Sequence, residues 1–241
     1  MSSGTYTLFD IPTKAPRRCW SMNTWRTRLL LNYKGLDYKT EWIEYPNIRT
    51  LLEGRVSPNE QGPPFTLPAI QMPDGSFIMD SYKIAAAIEK LHPEPSLPLD
   101  EPHLLRFRKV LVALMGELTP IYVPGVAQRL LGDESIDYFL KTRQQDVGMP
   151  LYEYGEQRGP GSFERAEPFA RQMTALLNES SSGPFFLGEK ITYIDFIWAG
   201  ILLFFKCLGE EEYGELLKRS GDSGAHTKFL DALSPWTERD D

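Results

Sequence analysis

At 241 residues the chain can bury most of its apolar surface in one large domain or two modest ones without disulfide staples, and 41 % hydrophobic with 24 % charged residues exclude disorder for most of it. With 26 basic against 33 acidic residues the net charge is −7, so no global basic field favours nucleic acid. Two cysteines and three histidines without ligand spacing give neither a disulfide framework nor a metal site, and neither the MSSGTYTLFD start nor the apolar run Phe196 to Phe205 suits a secretion signal or a bilayer span, so a cytoplasmic protein without a membrane partner is expected.

In chain order, Tyr6 to Asp10 alternates like a strand. Asn23 to Lys34 carries Trp25, Leu29, Leu30 and Tyr33 at helical spacing before Gly35, a residue type suited to the position beyond a helix end. Tyr38 to Ile43 resembles a second strand. After an irregular segment, LPAIQMPDGSFIMDS sets Pro73-Asp74-Gly75 between two alternating apolar stretches, the pattern of a β-hairpin. Asp80 or Ser81 can then cap a helix through Tyr82, Ile84, Ala85, Ile88 and Leu91. The order β-α-β then β-β-α is that of a thioredoxin-like α/β domain, assigned to residues 1–92.

From Leu91 to His103 the chain reads LHPEPSLPLDEPH. Pro93, Pro95, Pro98 and Pro102 remove donors and disfavour helix in the residues before them, which makes 93–102 a linker. Beyond it the periodicity is helical, predicting an all-α domain over 103–241 with helices at 103–118, 135–156, 163–178, 192–207 and 210–219. No internal repeat is visible. Within ITYIDF, Thr192 can cap the third backbone N–H of its helix while Asp195 reaches back, with Ile191 and Phe196 as an apolar staple.

Chemistry concentrates near the first helix. Between Ile11 and Leu36 stand six basic residues (Lys14, Arg17, Arg18, Arg26, Arg28, Lys34) and no acidic one. Ser21-Met22-Asn23 lies at the helix start, where unpaired N–H groups and the positive dipole end favour an anion, although both polar residues also suit plain capping. Leu67-Pro68 precedes a strand, where a cis peptide would expose backbone for an extended peptide ligand; a trans turn proline is the commoner alternative. Asp80-Ser81 starts the next helix, as a cap or as a carboxylate site. Together the three describe a peptide thiol held by its backbone, its carboxylate and its sulfur.

The segments CWSMNTWRTRLLLNYKGLDY, FTLPAIQMPDGSFIMDS and FLGEKITYIDF resemble those of cytosolic glutathione transferases. The resemblance implies the fold of that family, a thioredoxin-like α/β domain followed by an all-α domain, and glutathione as cosubstrate. Counting back from Lys34-Gly35, Ser21 falls where omega-type and glutaredoxin-like relatives have a reactive cysteine. Ser21 with Asn23 resembles instead the bacterial β-etherases and the related fungal etherase-like transferases. By that resemblance Ser21 donates to the glutathione sulfur with Asn23 assisting, Leu67 before a cis Pro68 pairs with the cysteinyl unit, and Asp80-Ser81 hold the γ-glutamyl end. Arg55, Asn59 and Gln61 remain open for the glycine carboxylate. A homodimer is implied, acting on small hydrophobic aromatic molecules.

The physical task is thiol activation. A free thiol titrates near ~8.5, so little is thiolate at neutral pH, and lowering that by about two units supplies ~2.7 kcal/mol. The thiolate would displace phenoxide from a β-aryl ether, attack another aromatic electrophile or reduce a peroxide. Cys19 lies two residues from the expected reactive position, which favours a structural thiol over a redox one. Trp20, Trp25, Tyr122, Phe204 and Phe205 serve either as an aromatic pocket or as core. The rival functions are a ligandin-type protein sequestering plant polyphenols and a scaffold that only borrows the fold.

Overall fold

The computed structural model describes residues 5–99 and 102–241. All of β1 (Tyr6–Asp10) is buried, and the strand accordingly lies inside a four-stranded sheet of order β2-β1-β3-β4. β2 (Tyr38–Trp42) runs parallel to it, from Tyr6 opposite Tyr38 to Asp10 opposite Trp42, while β3 (Ala69–Gln71) is antiparallel with Phe9 opposite Ala69. β4 (Phe77–Met79) completes the predicted hairpin, and Phe77 stacks on Phe9 at 5.5 Å.

A parallel pair needs a crossover, here α1 (Met22–Tyr33). It stops at Lys34 because Gly35 takes φ +63°, a left-handed conformation without cost for glycine. On its buried side Arg28 pairs with Asp10 at 3.1 Å, both side chains fully buried, and reaches Thr40 at 3.1 Å. This pair accounts for one of the six basic residues near the first helix as a structural group. Lys34 is another: its Nζ pairs with Glu89 and donates to the carbonyls of His92 at 2.7 Å and Pro95 at 2.6 Å. Glu89 in turn accepts the Leu97 N–H at 3.1 Å, so the proline-rich segment is tied back onto α3 (Ser81–Leu91).

The remainder is helical: α4 (Pro102–Gly125), α5 (Asp133–Val147), α6 (Leu151–Arg158), α7 (Ser162–Leu177), α8 (Tyr193–Leu208), α9 (Glu210–Ser220) and α10 (Ser223–Thr237). α4 extends well past the expected end at 118 and continues as a π-helical turn over Val126–Leu130. By length and composition Pro102–Leu130 would suffice to cross a bilayer; in the structure it packs on α6, α7 and α8. α8 is the central helix. Its start is the predicted capping box: Asp195 accepts the Thr192 N–H at 2.7 Å, the Thr192 hydroxyl at 2.8 Å and the Phe186 N–H at 3.0 Å, all buried.

Three expectations are corrected. The helix foreseen over 135–156 is two, because Gly148 adopts φ +76° and Pro150 starts the next helix without an N–H. The segment between β2 and β3 taken as irregular contains a 3₁₀ turn, Tyr45–Asn47, and α2 (Ile48–Leu52). α10 was not foreseen, although His226, Phe229 and Leu233 are buried at helical spacing; Gly224 and Pro235 obscure the pattern.

Candidate functional site

Two cavities meet at the N-terminus of α1. One, of about 580 Å³, lies between the sheet domain and α5 and is bounded by Ile48, Arg49, Thr66, Leu67 and Tyr138. The other, of about 360 Å³, is bounded by Trp20, Tyr122, Val123, Val126, Phe139 and Phe204. Ser21, Asn23, Tyr45, Arg143 and Asp146 line both.

Ser21 is fixed by the loop before it, where Pro12 bridges Cys19 and the Trp20 indole donates to the Pro12 carbonyl at 3.2 Å. It is the extended N-cap of α1, with φ −67° and ψ 125°, and its carbonyl accepts the Trp25 N–H at 3.0 Å. Its Oγ accepts the Asn23 N–H at 3.3 Å, and among the described residues no acceptor takes the hydroxyl hydrogen. Capping and function are therefore compatible here. A lone pair serves the helix while the proton remains for an anion in the cavity. The Asn23 side chain is exposed beside it, at the dipole's positive end.

The Leu67-Pro68 peptide is cis. Among the described residues neither the N–H nor the C=O of Leu67 has a hydrogen-bond partner, which leaves a backbone edge on the larger cavity. Pro68 passes its carbonyl to the Asp80 N–H at 3.3 Å, placing the start of α3 directly behind that edge. Asp80 caps α3 as foreseen, its Oδ1 accepting the N–H groups of Tyr82 at 2.9 Å and Lys83 at 3.0 Å. Its φ of +86° is the one positive value at a non-glycine among the described residues, a costly conformation of the kind that collects at ligand clamps. Ser21, Asn23 and Leu67 are thus brought to one cavity. Asp80 and Ser81 lie outside its lining, joined to it through Pro68.

Of the residues left open for a carboxylate, none lines either cavity. Arg55 lies on the Phe77 ring at 4.9 Å, and Asn59 holds its own loop through the carbonyls of Pro63 at 3.0 Å and Pro64 at 2.8 Å. Gln61 is exposed. Arg49 takes the wall position instead. Among the aromatics, Trp20, Tyr122 and Phe204 form the smaller cavity's wall, with Tyr122 edge-on to Phe204 at 5.7 Å, while Trp25 and Phe205 are core. Cys19 is also core. Its Sγ lies 3.6 Å from the Thr24 hydroxyl, and burial pushes the thiol up, away from thiolate chemistry.

The sequence did not disclose Tyr45, Arg49 and Arg143. Tyr45 sits on the 3₁₀ turn, where the Ser135 hydroxyl of α5 accepts its N–H at 3.0 Å and donates to the Glu44 carboxylate. That bond fastens α5 over the cavity, with the Tyr45 ring 5.3 Å from Phe139. Burial pushes the Tyr45 phenol up to about 12 against the opposing pull of Arg143, so it stays a protonated donor. Helix dipole, serine hydroxyl, tyrosine hydroxyl and guanidinium converge on one region suited to an anion. Among the described residues no group of three or more His, Cys, Asp or Glu side chains is placed to hold a metal ion.

Comparison with known proteins follows the same outline. Residues 20–91 match the model of the glutathione S-transferase N-terminal domain, and residues 107–236 that of the C-terminal domain. Glutathione S-transferase-like protein ustS of Aspergillus flavus is 32 % identical over a match spanning 78 % of this chain and 76 % of the relative. The crystal structure of glutathione transferase GSTFuA3 from Phanerochaete chrysosporium is similar with 27 % identity and a TM-score of 0.84, over 98 % of this chain and 99 % of that one. A glutathione S-transferase of Ceriporiopsis subvermispora, solved in complex with glutathione, gives 27 % identity and a TM-score of 0.84 over the same shares, 98 % and 99 %.

Proposed function

The chain belongs to the glutathione S-transferase family, and from that premise we propose that it holds the glutathione thiol as a thiolate on Ser21 and directs it at aromatic electrophiles. The carrying observation is the Ser21 hydroxyl at the junction of the two cavities, accepting from the Asn23 N–H with its own proton uncommitted. Glutathione occupies the larger cavity, its cysteinyl backbone on Leu67 at the cis Pro68, its γ-glutamyl end toward Asp80 and Ser81, and its glycine carboxylate toward Arg49. Asn23 adds a donor at the rim. In the reaction the thiol proton leaves to solvent, the sulfur forms a bond to carbon, and a phenoxide or halide departs with the electrons of the broken bond. Stabilising the anion before attack is the catalytic contribution. β-Aryl ethers of the etherase type and peroxides belong to the substrate range this reading allows.

We take residues 93–102 as the boundary between the two domains and the protein as a cytoplasmic homodimer. Leu105 and Val112, 79 % and 72 % exposed on α4, are apolar surface for a second copy to cover.

The aromatic wall of the smaller cavity also favours ligand storage, so turnover is the deciding test. Purified protein is incubated with glutathione and, in parallel, a chloronitroarene, a β-aryl ether ketone and an organic peroxide. Turnover of any one, lost on Ser21→Ala, supports the transferase reading. Thermal stabilisation by glutathione with all three reactions at background makes it a binding protein.

A further inference from the structure

We infer that Arg143 determines specificity, selecting aromatic electrophiles that carry a carboxylate or similarly anionic group; the inference rests on the transferase reading only for the identity of the nucleophile. The smaller cavity is walled by Trp20, Tyr122, Val123, Val126 and Phe204, and its charged lining residues are Arg143 and Asp146. Such a wall takes a planar apolar body. It also presents one guanidinium to it.

That guanidinium is oriented but poorly neutralised. Its face lies over the Phe139 ring at 4.9 Å, and it bears on the Tyr45 phenol. Besides the Tyr45 phenol, its polar contacts are long: Asp146 at 3.5 Å and the Thr142 hydroxyl at 3.5 Å, both to the same Nη1. Asp146 is itself 65 % exposed, so water satisfies much of its charge. A guanidinium has five N–H donors in a planar fork, and the contacts to Asp146, Thr142 and the Tyr45 phenol leave part of that fork available. Arg49, the other arginine on the walls, is by contrast paired with Glu53 at 2.9 Å and rests on Phe65. A cation beside an aromatic wall gains most from a ligand anion, and a carboxylate on a ring matches the fork in two parallel bonds. Since Arg143 lines both cavities beside Ser21, a ligand anchored there keeps its ring next to the sulfur.

A carboxylate reaching Arg143 has two sources, the electrophile and the glycine end of glutathione. The test separates them with para-nitrobenzoate and its methyl ester, neither of which carries a halide to lose. Each is titrated calorimetrically into wild type, Arg143→Gln, Arg143→Lys and Arg49→Gln, with and without glutathione. The expected result is a wild-type preference for the acid over the ester that falls ten-fold or more in Arg143→Gln, survives in part in Arg143→Lys and persists in Arg49→Gln. Three results overturn the inference: no acid preference in the wild type, a preference unchanged in Arg143→Gln, or an Arg143→Gln effect confined to glutathione affinity. Because these ligands bind without reacting, a protein devoid of transferase turnover still shows or lacks the preference, and the two claims stand or fall separately.

Discussion

Removing the Ser21 hydroxyl separates its two jobs, and their sizes differ enough to measure. As a cap, Oγ accepts the Asn23 N–H at 3.3 Å, long for such a bond, so alanine should cost toward the low end of cap losses, ~0.5–1 kcal/mol of stability. As a donor to a thiolate, the same hydroxyl makes a hydrogen bond to a charged acceptor, worth ~1.5–3 kcal/mol. That second amount equals a rise of about 1–2 units in the pKa of bound glutathione. Below that pKa, kcat/KM for glutathione-dependent turnover should fall about ten-fold or more. Ser21→Gly sharpens the contrast, since glycine caps at a cost of only ~0.3 kcal/mol relative to serine yet equally lacks the hydroxyl. The assays are the pH dependence of kcat/KM with a neutral chloronitroarene and urea unfolding of the same proteins. If both variants keep the wild-type pH profile while alanine still loses stability, Ser21 is a cap alone and the reasoning about the sulfur is wrong.

Two further outcomes concern the helical domain. Asp195→Ala should destabilise by roughly 3–5 kcal/mol in urea unfolding, because it strands the buried N–H groups of Phe186 and Thr192 together with the Thr192 hydroxyl; a loss below about 1 kcal/mol would mean those donors find other acceptors. His226 accepts from the Trp198 indole at 3.1 Å through Nδ1, so the ring must carry its proton on Nε2, 2.9 Å from Thr174, and burial lowers its pKa to about 4 from 6.5. The unfolded chain therefore takes up the proton first as pH falls, and the wild type's stability advantage over His226→Gln should shrink by roughly 3 kcal/mol between pH 6.5 and 4. Asp195, which burial raises to about 6, works in the opposite sense but is common to both proteins and cancels in the difference. An advantage independent of pH would show that His226 titrates alike folded and unfolded.

Local chemistry made much of this molecule legible. Gly35 after a periodic helix, Pro73-Asp74-Gly75 between alternating strands and the Thr192/Asp195 pair each state their conformation within a few residues, and each forms as expected. Ser21, Asn23 and Leu67 were legible through the same short-range signals, since a helix start and an X-Pro step before a strand reveal where N–H groups and backbone edges are left over. Gly148 and Pro150 were equally local but were overridden by an apolar period that runs on across them. Tyr45, Arg49 and Arg143 were not legible because their place on the cavity walls arises from α5 docking on the 3₁₀ turn through Ser135, a contact between residues about ninety positions apart. Periodicity identifies a buried face without saying what it meets, so the wall opposite Ser21 appears only with the tertiary structure.

The central claim is tested most directly by a crystal structure of the protein with glutathione bound. The sulfur is predicted to lie within hydrogen-bond distance of Ser21 Oγ, with the cysteinyl backbone paired to Leu67. A tripeptide whose sulfur points away from Ser21, or which leaves the Leu67 edge unpaired, would contradict it.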